Sequence, residues 1–100
     1  MSAPNEAPAP TLTQFEPLIG DVFEVPEVPP VVITLEAVEA APRLALHTRD
    51  PFSLLFWGPG EVLLPQGTYE LRHASLPGLA VFLVPVGQER RGFVYQAVFN

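Results

Sequence analysis

The sequence predicts an all-β fold, either a small antiparallel barrel or a sandwich of about six strands, with one short helix near the N-terminus. Apolar and polar residues alternate with the two-residue period of a β-strand through much of the chain. The 13 Pro and 7 Gly residues fall largely between these segments, where they favour tight turns. At 100 residues the chain has the length of one domain. We expect a flexible, Pro/Ala-rich tail at residues 1–10 and a single β domain at residues 11–100.

The helix is predicted from the segment TLTQFEPLIG, at positions 11–20. Its apolar residues recur at helical spacing, and Thr13 followed by Glu16 has the form of a capping box. Gly20 is a residue type that often follows the last turn of a helix. We therefore predict a helix from about Thr13 to Ile19, with its apolar side over one end of the sheet.

Six further segments have the strand pattern, and Pro or Gly lies between each and the next. They are DVFEV at 21–25, VVITLEAVEA at 31–40, FSLLFWG at 52–58, TYELRH at 68–73, LAVFLVPV at 79–86 and FVYQAVFN at 93–100. Pro77 and Gly78 have the form of a type II turn, and GQERRG at 87–92 has the composition of a hairpin loop. VLLPQG, at 62–67, is a weaker strand candidate. A helix over one end of a small barrel fits this order best, and a two-sheet sandwich is second.

Two of these strands are apolar on both sides, although an antiparallel sheet commonly has one polar face. In FSLLFWG, Leu55 and Trp57 lie on the opposite side of the strand from the two Phe residues and Leu54. In LAVFLVPV, Phe82 and Val84 lie on the opposite side from Val81 and the two Leu residues. Exposed apolar patches of this kind usually mark interaction sites. The second face is covered either by a subunit or partner, or by residues 39–51 and the N-terminal segment of the same chain. The candidate interaction face consists of Leu55, Trp57, Phe82, Val84, Val98 and Phe99.

The composition argues against several classes of function. The net charge is −6 and all five basic residues are Arg, so we expect no nucleic acid partner. No apolar run approaches the ~18–20 residues that span a bilayer, and the N-terminus lacks the pattern of a signal peptide. We therefore expect no membrane partner, and a location in the cytoplasm or in a particle assembled there.

Residues with catalytic or metal-binding chemistry are few. A catalytic nucleophile needs a base beside it and a third group that orients the base, and the chain has no Cys and no G-x-S-x-G segment. His47 and His73 lack the spacing of a local metal site. We therefore predict no catalytic residue, no metal ligand and no cofactor, and we do not expect an enzyme.

An alternative function is that of a small ligand-binding β-barrel. Its candidate mouth residues are Tyr69, Arg72 and His73, with Trp57 beside them, because they add hydrogen-bonding and stacking groups to an apolar barrel. A pocket of at least ~300 Å³ in which these groups converge would support this alternative. A filled barrel interior would count against it.

Several segments together resemble a small, uncharacterised bacterial domain family. They are LTQFEPLIGDVF at 12–23, PFSLLFWGP at 51–59, LPQGTYELRH at 64–73, FLVPVG at 82–87 and YQAVFN at 95–100. Members of the family that this chain resembles are often encoded near phage-tail-collar-like proteins, and the family supplies no catalytic residues. Trp57 departs from the resemblance, since a more polar residue such as Arg is expected there.

The residues and the resemblance together predict a non-catalytic structural or adaptor module. Such a module acts through contacts with a protein partner or with another copy of itself. The resemblance implies a phage-tail-like or filamentous assembly as the setting of these contacts. The small ligand-binding barrel is the second prediction.

Overall fold

Within the described residues, six strands are all antiparallel and close into a barrel. The structure is a computed structural model that describes residues 10–42 and 50–99. The strands lie in the order β1-β2-β3-β6-β5-β4, and β4 pairs in turn with β1. The predicted all-β fold is confirmed, and it takes the form of the barrel rather than the sandwich. Residues 1–9 of the predicted tail lie outside the described residues.

The elements follow the periodicity of the sequence. A short helix α1 (Leu12–Phe15) continues as a 3-10 turn (Glu16–Leu18). The strands are β1 (Val22–Val25), β2 (Val31–Ala40), β3 (Phe52–Gly58), β4 (Gly67–His73), β5 (Leu76–Glu89) and β6 (Gly92–Phe99).

The helix begins earlier and is tighter than the sequence predicts. Thr11 is its N-cap, and the backbone N–H of Thr11 donates to the Oε1 atom of Gln14 at 2.8 Å. This contact satisfies the start of the helix in place of the predicted box from Thr13. Pro17 lacks the N–H that a longer α-helix needs, so the chain continues as a 3-10 turn.

Strand β5 is longer at both ends than the sequence predicts. The turn from β4 falls at residues 74–75, and the predicted type II turn at Pro77 and Gly78 is wrong. These two residues lie within β5, where they oppose Arg72 alone. Such a bulge admits Pro because the residue need not donate to the ladder. At the other end β5 extends to Glu89, so only two residues form the hairpin turn to β6.

Side chains fill the interior of the barrel. Along each strand every second side chain points inward, and thirteen of these side chains are at most 5% exposed. They are Phe23, Val25, Val31, Ile33, Leu35, Phe52, Leu54, Phe56, Leu71, Val81, Leu83, Tyr95 and Ala97. The barrel is therefore a packed core rather than a container, as expected for a barrel of so few strands.

One end of the barrel is closed by the helical segment. Phe15 is 1% exposed, and its ring centroid lies 5.9 Å from that of Phe52 and 5.9 Å from that of Phe99. Phe52 and Phe99 are stacked, with centroids 4.7 Å apart. Leu18 is buried beside them. This cluster fixes α1 over the end of the sheet, as the sequence predicts.

The other end is closed by the loop of residues 59–66, which joins β3 to β4. Leu64 of this loop is buried, and its N–H donates to the hydroxyl oxygen of the fully buried Tyr95 at 2.9 Å. A buried phenol requires a hydrogen-bond partner, so this contact satisfies two polar groups at once. The weaker strand candidate in this segment forms no strand before Gly67.

A close approach of two backbones fixes the start of β6. Gly92 has a φ of +145°, and a Cβ atom built on it would lie 1.8 Å from the carbonyl oxygen of Gly58. A Cβ atom on Gly58 would in turn lie 3.0 Å from Ile33 and 3.2 Å from Tyr95. Only glycine at position 92 allows β6 to leave the hairpin turn and pair with β3 here.

Replacing Gly92 with Ala is expected to lower the free energy of unfolding by roughly 2–4 kcal/mol, because the new methyl group clashes with a backbone carbonyl in a strained conformation. Gly87→Ala is the matched control, since a Cβ there meets no atom closer than 4.0 Å. Urea unfolding of both variants measures the difference. Equal stability of the two variants would contradict the close approach.

Tyr95→Phe is expected to lower the free energy of unfolding by roughly 1–3 kcal/mol, because the Leu64 N–H then loses its partner in a buried site. Tyr69→Phe serves as the control, since the Tyr69 hydroxyl donates to the Pro65 carbonyl in an exposed contact. Thermal and urea unfolding provide the measurement. If Tyr95→Phe lowers the free energy of unfolding no more than Tyr69→Phe does, the hydrogen bond between Leu64 and Tyr95 does not stabilise the fold.

Candidate functional site

Five of the six residues of the predicted interaction face point outward from the barrel. Phe82 and Val98 are 50% and 56% exposed, and Leu55, Trp57 and Val84 are partly exposed. Each alternates along its strand with buried residues of the core. The structure therefore gathers these five side chains on one side of the molecule, on strands β3, β5 and β6.

Phe99, the sixth predicted face residue, faces the other way. It lies two positions after Ala97 and four after Tyr95, both of which point into the barrel, and it stacks on Phe52. The two-residue period of β6 therefore places Phe99 in the core at the helical end. It is not part of the outward face.

Three outward residues that the sequence analysis did not name belong to the same surface. Val86 is 51% exposed at a bulge of β5, and Val94 and Gln96 are partly exposed on β6. For Val94 and Gln96 the sequence does give a signal, because both alternate with the inward-facing Tyr95 and so are expected on the outer side of β6. We use the name outer apolar face for Leu55, Phe82, Val84, Val86, Val94, Gln96 and Val98.

The strand register makes the outer apolar face continuous. Gln96 is paired with Leu55 on one neighbouring strand and with Val84 on the other. Phe82 and Val98 lie one outward step further along β5 and β6, towards the helical end. The apolar side chains on β3, β5 and β6 thus surround the single polar side chain of Gln96.

Trp57 marks the border of the outer apolar face because another side chain covers it. The guanidinium carbon of Arg91 lies 4.9 Å from the centroid of the Trp57 ring, which is a cation–π contact. Arg91 also donates to Glu89 at 3.1 Å and to Glu36. Trp57 belongs to the predicted interaction face, but Arg91 of the same chain already packs on its ring.

Of the three predicted barrel-mouth residues, Arg72 and His73 line one surface depression and Tyr69 lies elsewhere. Tyr69 lies towards the end closed by residues 59–66, where its hydroxyl donates to the Pro65 carbonyl. Partial burial, and next the nearby Glu27 and Tyr95, raise the pKa of Tyr69 above its ordinary value. Tyr69 is therefore uncharged at neutral pH.

Arg72 points outward on β4 and pairs with carboxylates. Its Nε lies 3.2 Å from Glu70, and one of its terminal nitrogens lies 3.8 Å from Glu24 across the β1–β4 boundary. All three side chains are about half exposed, so these ion pairs contribute little stability, of the order of 0–1 kcal/mol each. They place charge on this side of the barrel.

His73 lies near the helical end, with a side chain that is 8% exposed. Its Nδ1 atom accepts the N–H of Ser75 at 2.9 Å, and its Nε2 atom lies 2.9 Å from the carboxylate of Asp21. Nε2 therefore carries the proton and donates to Asp21. The ring packs on Phe23, with centroids 4.8 Å apart. Because both ring nitrogens already have hydrogen-bond partners, His73 stabilises the turn at Ser75 and the start of β1 at Asp21. Neither nitrogen is left to bind a substrate.

A shallow surface depression of about 750 Å³ lies over the β1–β4 boundary. Its lining residues are Gly20, Asp21, Val22, Phe23, Glu24, Val32, Arg72, His73 and Ala74. The polar groups in this lining pair mainly with one another, through the His73–Asp21 and Arg72–Glu24 contacts. The depression contains no polar side chain that is both buried and free to bind a ligand among the described residues.

Two further searches cover only the described part of the chain. Residues 10–42 and 50–99 contain no group of three or more His, Asp or Glu side chains arranged for a metal ion. Within the same ranges, no helix has the length and apolar character needed to cross a membrane.

Comparison with known proteins gives a family but no function. A family model described as a domain of unknown function (DUF6916) matches residues 10–99. No curated protein and no solved structure matches the chain. The family match agrees with the resemblance of the sequence to a small uncharacterised domain family, and it assigns no reaction, ligand or partner.

Arg91→Ala is expected to uncover Trp57, the only Trp of the chain. Quenching of the Trp fluorescence by acrylamide should increase, and the free energy of unfolding should fall by about 0.5–1 kcal/mol. Arg90→Ala removes the same charge from the same turn and is the control. Quenching that is identical in the two variants would show that Arg91 does not shield the ring.

Proposed function

This chain belongs to the family of domains of unknown function DUF6916, and we propose that it is a non-catalytic structural or adaptor module that acts through protein–protein contacts. The contact surface is the outer apolar face. The observation that carries the proposal is the group of large apolar side chains that this face exposes to water on a rigid sheet.

The exposed area on this face is large enough to affect binding. Phe82, Val86 and Val98 are each about half exposed, at 50%, 51% and 56%. Covering the exposed halves of three such side chains contributes roughly 2–4 kcal/mol. The partly exposed Leu55 and Val84 lie between or beside them and extend the same surface. A protein partner can cover a surface of this shape.

The side of the barrel formed by β1 and β4 has a different character. Glu24, Glu70 and Arg72 are exposed there and pair with one another. Val22 and Val32 are also exposed on this side, at 59% and 50%. Val32 lies directly opposite Glu24 in the strand register, and Val22 lies on the same outward side of β1 as Glu24. The charge next to them makes this side a weaker candidate for an apolar contact.

The packing of the barrel supports a protein partner over a small ligand. The strand neighbours of Leu55, Phe82 and Gln96 are all buried in the core, for example Tyr95 and Ala97 on either side of Gln96. The face is therefore held rigidly and needs little ordering on binding. The filled interior leaves no cavity for a ligand among the described core residues. The depression that Arg72 and His73 line is on the outer surface, and its polar groups pair mainly with one another, so it supports the ligand-binding alternative only weakly.

The resemblance found in the sequence extends the proposal to a setting. It supports a phage-tail-like or filamentous assembly, since members of the resembled family are often encoded near phage-tail-collar-like proteins. In that setting the module acts in the cytoplasm or in a particle assembled there. The acidic net charge of −6 supports the absence of a nucleic acid partner.

Site-specific photo-crosslinking in the cells that produce the protein tests the proposal. A photoreactive amino acid at Val98 or at Phe82 is expected to give a protein adduct of defined mass. Val32 is the matched control, because it is a valine on an outward strand position and is 50% exposed, close to the 56% of Val98. Absence of an adduct at Val98 and Phe82, or an equal yield at Val32, would overturn the proposed function.

A further inference from the structure

The centre of the outer apolar face is a single polar side chain. Gln96 is paired in register with Leu55 and Val84, and Val94 and Val98 flank it on its own strand. Its side chain is partly exposed. Among the residues that the structure describes, its side-chain amide has no hydrogen-bond partner. Any partner that covers the face also covers this amide.

An amide in this position restricts the chemistry of the partner. A covered amide that loses its contact with water destabilises the complex unless the partner supplies both an acceptor for its N–H and a donor for its C=O. A second Gln96 supplies both. In a two-fold symmetric interface a residue near the axis meets its own counterpart, so the amides of two copies satisfy each other.

The net charge of the chain opposes self-association, and the outer apolar face is a surface where two copies can meet without a charged residue. None of the seven residues of the outer apolar face is charged. At its borders, Arg91 is already paired with Glu36 and Glu89, and Glu39 lies opposite Ser53 on the neighbouring strand. Two copies that each carry a charge of −6 repel in most orientations, whereas this face brings apolar groups together without a like-charge contact.

From these observations we infer that a second copy of this chain occupies the outer apolar face, in a two-fold symmetric dimer with the two Gln96 side chains near the axis. This inference rests on the proposed function, because it names the partner of the same surface. The outer apolar face has seven residues, fewer than the ~20–30 residues that each partner contributes to a standard interface. The dimer is therefore dissociable, with a dissociation constant in the micromolar range or weaker.

Sedimentation equilibrium from about 1 μM to about 1 mM tests the inference, since these concentrations bracket weak interfaces. The wild-type mass is expected to rise from one chain towards two. Added salt should tighten the dimer, because it screens the repulsion between two acidic copies. A wild-type chain that stays monomeric at every concentration, or a mass that grows beyond two chains, would overturn the inference.

Charge substitutions at the axis give the sharper test. Gln96→Glu and Gln96→Lys are each expected to weaken the dimer at least tenfold, because like charges then meet across the two-fold axis. An equimolar mixture of the two variants should dimerise at least as tightly as the wild type. A mixture as weak as the single variants would overturn the position of Gln96 at the axis.

Gln88→Glu and Gln88→Lys are the matched controls, since Gln88 is an exposed glutamine on β5 that pairs with Phe93 and lies outside the face. These controls should dimerise as the wild type does. The in-cell adduct separates the two proposals. An adduct at Val98 whose mass does not equal two copies would overturn the self-contact and leave the proposed function standing, whereas absence of any adduct would remove both.

Discussion

The rest of this structure depends on the closure of the sheet around side chains that fill its interior. Apolar side chains at alternate positions of all six strands are buried there, and β1 closes the ring by pairing with β4 at Glu24 and Arg72. Once one set of positions is committed to the core, the two-residue period leaves the other set outside. The exposed apolar residues of β3, β5 and β6 therefore follow from the barrel itself. They are the outward halves of strands that are apolar on both sides.

Both ends of the barrel are closed by contacts within the chain, and this confines binding to the outer surface. Phe15 packs on Phe52 and Phe99 at one end, and Leu64 bonds to Tyr95 at the other. The polar groups that could have formed a pocket are also committed. His73 binds Asp21 and the Ser75 amide. The outer apolar face remains open to another molecule, and its apolar side chains around one side-chain amide suit a protein more than a small ligand.

The sequence predicts the positions of the strands and the existence of the outer apolar face, because both depend on local alternation. Leu55 and Phe82 could be assigned to a second apolar face from their strands alone. Other features depend on contacts between distant segments. The barrel, as opposed to the sandwich, follows from the β1–β4 pairing, and no local pattern encodes that pairing. Trp57 of β3 is covered by Arg91, which lies in the turn between β5 and β6. The alternation of Phe99 with Val98 indicates an inward position for Phe99, in contrast to its predicted place on the interaction face. The central place of Gln96 has no signal in the sequence, because a single polar residue gains meaning only when its neighbours in the sheet are known.

We expect the outer apolar face to contact a second copy of the chain through the region around Gln96. Amide chemical shifts of ¹⁵N-labelled protein, recorded from dilute to concentrated solution, test it most directly, because each residue reports on its own surroundings. Concentration-dependent shifts are expected at Leu55, Val84, Gln96 and Val98, with constant shifts at Glu24 and Arg72 on the charged side. Shifts that stay constant across the outer apolar face, or that move mainly on β1 and β4, would contradict it.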